Sequence, residues 1–335
     1  MLALAPIAAN AATAAPDGTL LSSQPCPNNP LSSYGAYVAS ARADLDSEAE
    51  EARSEGIAMP PISDERLRAS LPSKREVEDH IAYRGFECRA ITYASGGLKV
   101  AGLLWKPVST RGKRLPLLIA LRGGRATYGP MEPWRYWGWH DFLKAGYVVL
   151  STQYRGGPGS EGQDGFGSPG DLDDVRNLVP LAASLGYVDT GRLFLHGGSR
   201  GGMQAYMLAR SGFPLRAMAI RAGLANLRES MKSRPMLRPD TERMMVDFAS
   251  DPEGAYDRRS AALWAHEIKV PTIVFHGSDD WRTRPADSLD VAQGLLEART
   301  PFELHLYEGD THAMTLNERD MIRRTIEFFA RHSER

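Results

Sequence analysis

From Glu87 onward, the chain alternates short runs of β-branched and apolar residues with longer stretches of helical periodicity, and this alternation restricts its fold most strongly. Strands that alternate with helices pair in parallel, because each helix returns the chain across a face of the sheet. The sequence therefore predicts an α/β domain with a mostly parallel sheet and helices on both faces. Eight strands are predicted: Cys88–Tyr93, Leu98–Trp105, Leu115–Leu121, Gly146–Tyr154, Arg192–His196, Arg216–Arg221, Thr272–His276 and Glu303–Glu308.

The chain before this region has a different composition. Residues 16–35 are rich in Pro, Ser and Asn, which is typical of a linker, and the residues that follow predict one or two surface helices. We expect residues 16–85 to form a linker and helical extension without catalytic chemistry, and residues 86–335 to form the catalytic domain. Residues 224–258 interrupt the alternation between two strands, which indicates an inserted helical lid.

The composition limits the partners of the chain. Its 335 residues include 40 Lys and Arg against 41 Asp and Glu, so a basic field that would attract nucleic acid is absent. No apolar run approaches the ~18 residues of a membrane helix, and we expect no membrane span. No Walker motif or HExxH pattern occurs, and the GxGxxG pattern at Gly157–Gly162 leads into a loop instead of a helix. We therefore expect no cofactor and no metal.

The first residues and the cysteines bear on the compartment. Residues 1–15 are rich in alanine and contain a small-residue triplet just before Pro16, which resembles the end of a secretory signal, although no Lys or Arg precedes Arg42. We expect a periplasmic or secreted protein, with the cytoplasm as the alternative. Cys26 and Cys88 are too few for a disulfide framework, but they can form one bridge if the protein is exported.

The sharpest local motif is an apolar strand that runs directly into the pattern GxSxG at Gly197–Gly201 and then into a helix. A serine at the tip of a tight strand-to-helix turn needs small neighbours, which the glycines supply. The turn also points the helix N-terminus, with its free N–H groups, at whatever binds to the serine. Ser199 is therefore the candidate nucleophile, and a plain Gly-rich turn that opens a helix is the alternative interpretation.

A serine nucleophile requires a base and an acid, which in this kind of fold follow it in the order acid, then histidine. Of the eight histidines, only His312 lies in the correct order on a loop after a strand. Two adjacent residues, Asp279 and Asp280, follow an earlier strand, and the mechanism alone does not choose between them. Asp310 is a weaker third candidate, because an aspartate two positions before His312 also forms turns.

These motifs, in this order, resemble the catalytic domain of the prolyl oligopeptidase-type serine peptidases within the α/β-hydrolase superfamily. The resemblance covers about residues 86–332 and includes the GGSRGG turn, the HGSDD segment and the His312 loop. In that family the acid is the last residue of an HGxxD pattern, which implies Asp280. The resemblance thus implies an α/β-hydrolase fold with a catalytic triad of Ser199, Asp280 and His312.

One loop departs from the family pattern. The family usually has Tyr-Gly-Gly after its third strand, with the Tyr hydroxyl helping to hold the oxyanion, whereas this chain reads RGGR at Arg122–Arg125. The first expected oxyanion donor is the backbone N–H of Arg200. The second is either a backbone N–H of Gly123 or Gly124 or the Arg122 guanidinium. Because a missing donor lowers turnover ~10²–10³-fold, this departure affects the rate more than the type of chemistry.

The sequence therefore predicts a serine hydrolase that cleaves peptide or related amide bonds of small substrates through an acyl-enzyme intermediate. A carboxylesterase that acts on small esters uses the same residues and is the alternative. A noncatalytic binding protein that retains the fold is a third possibility, and the complete ordered triad argues against it. Residues 228–243 of the lid segment also carry four arginines that indicate either an anionic group near the pocket or a solvated helical face: Arg228, Arg234, Arg238 and Arg243.

Overall fold

The computed structural model describes residues 15–27, 29–110, 112–134 and 138–333, so most of the predicted signal segment at residues 1–15 lies outside the described residues. Within these described residues, nine strands form one sheet: β1 (Leu20–Pro25), β2 (Phe86–Ser95), β3 (Leu98–Pro107), β4 (Leu115–Leu121), β5 (Val148–Thr152), β6 (Val188–Gly198), β7 (Ala217–Arg221), β8 (Thr272–Gly277) and β9 (Phe302–Tyr307). Their order is β1-β2-β3-β5-β4-β6-β7-β8-β9. Pairing is antiparallel from β1 to β5 and parallel from there to β9, as the alternation predicts for most of the sheet.

Helices cover both faces of this sheet. They are α1 (Tyr34–Ser54), α2 (Asp64–Ser70), α3 (Lys74–Ala82), α4 (Trp139–Lys144), α5 (Pro169–Arg176), α6 (Leu178–Ser184), α7 (Arg200–Arg210), α8 (Leu227–Ser233), α9 (Arg238–Met244), α10 (Pro252–Arg258), α11 (Pro285–Glu297) and α12 (Glu318–His332). Side chains of a strand point alternately to the two faces, so Leu117 and Ile119 of β4 join one core cluster with α5, α6, α7 and α11. Leu118 joins the other cluster, with α4 and α12.

The ninth strand corrects the sequence analysis, which predicted eight. The interpretation of residues 16–35 as a linker is wrong for β1, which pairs antiparallel with β2 at the edge of the sheet. Most side chains of β1 are exposed, so the segment carries no apolar alternation from which a strand is recognised. Its end is tied to β2 by a disulfide between Cys26 and Cys88 and by a backbone hydrogen bond of 3.1 Å from Cys26 N to Cys88 O.

Helices α1, α2 and α3 form the extension that precedes the catalytic region. Each begins after a serine whose hydroxyl accepts a backbone hydrogen bond, which satisfies one of the free N–H groups of the first turn: Ser33, Ser63 and Ser73. The three helices bury a small apolar cluster that includes Tyr37 and Leu45 of α1 together with Leu316, which lies just before α12. The extension is therefore packed against the loop that carries His312.

The segment between β7 and β8, which the sequence predicts to be a helical lid, contains α8, a short 3₁₀ turn at Pro235–Leu237, α9 and α10. An apolar cluster holds it to the domain through Leu227 and Met231 of α8, Tyr256 of α10 and Met203 of α7. Within the described part of the chain, none of the helices combines the length and apolar character that crossing a membrane requires.

Candidate active site

Ser199 lies at the turn between β6 and α7, at the carboxyl edge of the parallel strands. Its backbone has φ 54° and ψ −122°, a strained conformation that non-glycine residues adopt mainly at functional sites. The turn requires glycine on both sides, because a Cβ on Gly197 would stand 2.4 Å from the Gly201 carbonyl oxygen, and one on Gly201 would stand 2.3 Å from that of Leu121. The sequence thus forms the tight turn that exposes a serine hydroxyl.

Asp280 and His312 lie on the loops after β8 and β9, two neighbouring parallel strands. Their side chains are joined by a hydrogen bond of 2.8 Å between His312 Nδ1 and Asp280 Oδ2. This contact leaves Nε2 as the nitrogen of His312 that can exchange a proton with another group. The two residues therefore have the arrangement of a base and the carboxylate that orients it.

Five donors surround the buried Asp280 carboxylate. Besides His312, Oδ2 accepts from His276 Nε2 at 3.0 Å and from Thr283 Oγ1 at 2.7 Å. The backbone N–H groups of Arg282 and Thr283 donate to Oδ1 at 2.8 and 3.0 Å. Burial alone would raise the pKa of Asp280, but the electrostatic interaction with His312 and the hydrogen bonds from the two histidines outweigh it and hold that pKa well below its ordinary value. The carboxylate is thus ionised and fixed in place.

The other two candidate acids have different surroundings. Asp279 is half-buried, and its carboxylate accepts a hydrogen bond of 2.7 Å from the neighbouring Ser278 hydroxyl. Asp310 is fully buried and accepts from the N–H groups of Thr311 and Leu316 and from the Asn317 side chain, so it shapes the loop that carries His312. Of the three, Asp280 is the one that the structure brings to the imidazole.

Ser199 and His312 line the same cavity. Among the described residues, no hydrogen bond joins the Ser199 hydroxyl to the imidazole, whereas the bond between His312 and Asp280 is already formed. Catalytic hydrogen bonds are often long in ligand-free sites and tighten when the substrate binds. The structure therefore brings the three residues to one site, with the contact between nucleophile and base still open.

Gly123 lies directly against the serine. A Cβ on Gly123 would stand 3.0 Å from Ser199 Cβ and 3.5 Å from Oγ, so the backbone of Gly123 is adjacent to the hydroxyl. On the other side of Ser199, the amide of Arg200 opens helix α7. Gly123 and the amide of Arg200 thus both lie next to Ser199, where the sequence predicts the oxyanion donors.

The Arg122 guanidinium does not fit the role of an oxyanion donor, and that alternative is wrong. The side chain is fully buried, and its three nitrogens donate to backbone carbonyl oxygens of Gln153, Ala126, Tyr128 and Gly123 at 2.8 to 3.1 Å, with a longer bond of 3.3 Å to Gly129. Arg122 therefore braces the loop that contains Gly123. Because the N–H groups of this guanidinium already donate to carbonyl oxygens, none is left for a substrate.

The Arg200 side chain is likewise engaged inside the protein. Its guanidinium is 2.6 Å from Asp164 Oδ2 and 3.1 Å from Asp171 Oδ2, and it lies over the rings of Tyr154 and Phe166. A buried cation needs such paired carboxylates to offset the loss of hydration. Only the backbone amide of Arg200 is thus left to act at the serine, as the sequence analysis expects.

The cavity around Ser199 has a volume of about 990 Å³. One wall is helix α1, which contributes Asp44, Glu48 and Glu51, and another is the inserted segment, which contributes Met231 and Leu237. Both walls lie outside the strands and helices that hold the three candidate catalytic residues. The extension is therefore part of the site's enclosure, although the sequence analysis expects no chemistry there.

The four arginines of residues 228–243 are paired with carboxylates of the protein: Arg228 with Glu253 and Asp257, Arg234 with Glu51 and Glu55, Arg238 with Glu242, and Arg243 with Asp240. Of these four, Arg234 lines the cavity, where its bonds to Glu51 and Glu55 are 2.8 and 2.9 Å long. The arrangement favours structural ion pairs over a site for an anionic substrate.

Sequence reasoning missed two residues that contact the candidate acid. His276 is fully buried, and besides Asp280 it has Ser288 Oγ at 2.7 Å from its Nδ1. Both ring nitrogens of His276 therefore have a hydrogen-bonding partner. Thr283 touches both Asp280 and His312, with Oγ1 3.3 Å from His312 Nδ1. The only signal for His276 was its place in the HGxxD pattern, and no motif pointed to Thr283.

The chain also resembles known proteins in sequence. The Peptidase_S9 model, which describes the prolyl oligopeptidase family, matches residues 136–335. The chain is 25% identical over 253 residues to the acylamino-acid-releasing enzyme of Sus scrofa, which covers 71% of this chain and 32% of that protein. It is 24% identical over 225 residues to dipeptidyl aminopeptidase BIII of Pseudoxanthomonas mexicana, covering 61% and 31%. The chain thus spans about a third of the length of these curated relatives.

Solved structures show the same fold. An acylaminoacyl peptidase of Pyrococcus horikoshii superimposes with a TM-score of 0.66 at 19% identity, covering 79% of this chain and 44% of that one. Dipeptidyl peptidase 4 of Porphyromonas gingivalis gives a TM-score of 0.63 at 22% identity, covering 78% and 37%. Both likenesses concern the α/β-hydrolase architecture that the sequence predicts.

Proposed function

The chain belongs to the prolyl oligopeptidase family, and on that premise we propose that it is a serine peptidase that cleaves short peptides through an acyl-enzyme intermediate. The observation that carries the proposal is the 2.8 Å bond from His312 to the buried Asp280 carboxylate, beside the cavity into which the strained Ser199 turn opens. Strained backbone conformations of this kind persist mainly at functional sites, which argues against a noncatalytic binding protein.

In the acylation step, the Ser199 hydroxyl attacks the carbonyl carbon of the scissile amide while His312 Nε2 accepts the hydroxyl proton. Asp280 holds the ring through Nδ1 and stabilises the imidazolium that forms. The oxyanion is stabilised by the backbone amides of Arg200 and Gly123. His312 then returns the proton to the leaving amine, the carbon–nitrogen bond breaks, and the acyl group remains as an ester on Ser199.

In the deacylation step, His312 removes a proton from a water molecule, and the resulting hydroxide attacks the ester carbonyl. Collapse of the second tetrahedral intermediate breaks the bond to Ser199 Oγ, which recovers its proton from His312. The products are a carboxylic acid and the amine released earlier, and the protein is regenerated. These steps need no metal or cofactor.

The preference for short peptides is supported by the enclosure of the cavity. A volume of about 990 Å³ lies at the upper end of the range for small-molecule sites, ~300–1,000 Å³. Helix α1 and the inserted segment border the space around Ser199 and limit how far a substrate chain can extend. The names of the relatives, an acylamino-acid-releasing enzyme and a dipeptidyl aminopeptidase, favour peptides cleaved near their amino end.

A matched substrate panel tests the proposal. We expect the protein to hydrolyse dipeptidyl or N-acylaminoacyl p-nitroanilides, and a fluorophosphonate probe to label Ser199, because both reactions depend on the same activated hydroxyl. Turnover is measured from released nitroaniline, with p-nitrophenyl esters of short acids as the comparison series. Hydrolysis of the esters with no turnover of any anilide would make the protein a carboxylesterase, and absence of labelling would make it a binding protein.

We further propose that the protein works in an oxidising compartment, the periplasm or the exterior of the cell. The disulfide between Cys26 and Cys88 supports this location, because such bonds persist mainly where thiols are not kept reduced. Protein isolated from its native cells and alkylated without reduction is expected to yield the linked Cys26–Cys88 peptides from the exported fraction. Recovery of both cysteines as free thiols from the cytosolic fraction would contradict this location.

A further inference from the structure

We infer that Glu48 of helix α1 is a positioning residue for His312, so that the N-terminal extension is a functional part of the active site. The inference rests on the proposed function, because it concerns the residue proposed as the base. Glu48 precedes His312 by 264 positions in the chain, yet its side chain is only 2% exposed and lies against the His312 loop.

The contacts of Glu48 are with three consecutive residues of that loop. The N–H of His312 donates to Oε1 at 2.9 Å. The Thr311 hydroxyl donates to Oε2 at 2.8 Å, and the N–H of Ala313 donates to the same oxygen at 3.3 Å. Both oxygens of one carboxylate thus bind the backbone at the histidine and at the residue after it, and the side chain of the residue before it.

Fixing this backbone fixes the imidazole. His312 follows β9 on a loop, and its ring reaches Asp280 from a main chain that no strand ladder holds. Asp310, a residue of this loop, accepts hydrogen bonds from Thr311, Leu316 and Asn317. Glu48 binds the same loop from helix α1. A displacement of about 1 Å in a catalytic group is enough to lower the rate ~10²-fold. The hydrogen bonds from the loop to Glu48 therefore matter for the position of His312.

The energetics of the site favour a positioning role over a purely structural one. Among the described residues, no cation forms an ion pair with Glu48, so the buried carboxylate depends on donors from the His312 loop. Burying an anion without a cation is costly, and an apolar side chain would attach α1 to the domain without that cost. The apolar contacts of Tyr37 and Leu45 with Leu316 already hold α1 in place. We therefore expect the helix to remain docked when Glu48 is replaced.

The next turn of α1 contacts the loop of the acid as well. Glu51 binds Arg234 of the inserted segment at 2.8 Å and forms an ion pair with Arg282. The backbone N–H of Arg282 in turn donates to Asp280 Oδ1 at 2.8 Å. One helix face thus touches the loop of the base, the loop of the acid and the insertion.

The test compares Glu48→Ala and Glu48→Gln with Glu50→Ala. Glu50 lies on the same helix but is exposed and pairs with Arg53 of its own helix, so its replacement controls for a lost charge on α1. We expect Glu48→Ala to lower kcat ~10- to 100-fold with KM changed less than about threefold, because the change disturbs the orientation of the base more than the binding of the substrate. Glu48→Gln is expected to fall between Glu48→Ala and the wild type, since one amide oxygen can still accept from the loop.

The second measurement is the rate at which a fluorophosphonate labels Ser199, at a temperature where all variants are folded by circular dichroism. Labelling needs the activated hydroxyl but little substrate binding, so a lost positioning residue slows it in step with kcat, whereas a residue with only a structural role does not. Wild-type labelling reports separately on the proposed function. Rapid labelling of the wild type with equal rates in Glu48→Ala, Glu48→Gln and Glu50→Ala would overturn the inference and leave the proposed function intact.

Discussion

Replacing Ser199 with alanine is expected to lower kcat by about 10⁶-fold while leaving the fold unchanged. The hydroxyl is the proposed nucleophile, and no other group of the site replaces it, because the oxyanion amides and the cavity only stabilise and orient the substrate. The fold tolerates the change because serine and alanine both carry a Cβ, so the strain at φ 54° is the same for both.

The measurement is the initial rate on the best anilide of the panel, with protein purified free of wild-type enzyme and the fold checked by the unfolding midpoint. A matched control is Ser184→Ala, which removes an exposed hydroxyl on α6 whose partner is the carbonyl oxygen of Leu181. This control is expected to keep the wild-type rate and the wild-type labelling. A Ser199→Ala protein within tenfold of the wild-type rate would refute covalent catalysis by this serine.

The strands of the catalytic domain could be predicted because buried parallel strands are continuous apolar runs. The prediction for β4 matches the structure residue for residue, at Leu115–Leu121. The prediction for β6 begins at Arg192, whereas the strand begins at Val188, because residues 189–191 are Asp, Thr and Gly and carry no apolar pattern. Strand β1 escaped prediction for the same reason, since backbone hydrogen bonds at a sheet edge need no apolar side chains.

The candidate site also contains residues that the sequence predicts and residues that it does not. Ser199 could be predicted from the sequence because the GxSxG turn marks it, and His312 because it alone among the eight histidines follows the acid on a loop after a strand. The choice between Asp279 and Asp280 needed the family resemblance, because neighbouring residues on a loop differ only in which one turns inward. Glu48 could not be found, because nothing in its own helix marks it and its partners lie more than 260 positions away.

For Arg122, the sequence predicts a role that the structure does not support. A positively charged side chain beside two glycines is a reasonable oxyanion donor on the sequence alone, and its type is suited to binding anions. In the folded chain, however, carbonyl oxygens of the 123–129 loop and of Gln153 surround the guanidinium. The number and direction of backbone carbonyls around a side chain follow from the loop's path, which residue types alone do not reveal.

Replacing Asp280 with asparagine is expected to lower kcat by about 10⁴-fold, a smaller loss than that of Ser199→Ala. An amide at this position either presents an N–H to His312 Nδ1, which selects the wrong tautomer, or accepts from it without the charge that stabilises the imidazolium. It also turns one acceptor oxygen of the buried five-donor site into a donor that faces other donors. Because hydrogen bonds and His312 hold the pKa of Asp280 well below its ordinary value, the wild-type carboxylate stays ionised as the pH falls through the range of activity, and protonation of this residue does not limit the wild-type rate.

Asp279→Asn is the matched control, because it makes the same chemical change at the adjacent residue. Its carboxylate contacts the Ser278 hydroxyl at 2.7 Å and is half-buried, so we expect kcat within about threefold of the wild type. The pair of variants is compared by kcat on the same anilide and by the rate of fluorophosphonate labelling across pH 5 to 9. A larger loss of kcat in Asp279→Asn than in Asp280→Asn would show that Asp279, and not Asp280, is the acid. Equal small losses in both variants would show that neither carboxylate takes part in catalysis.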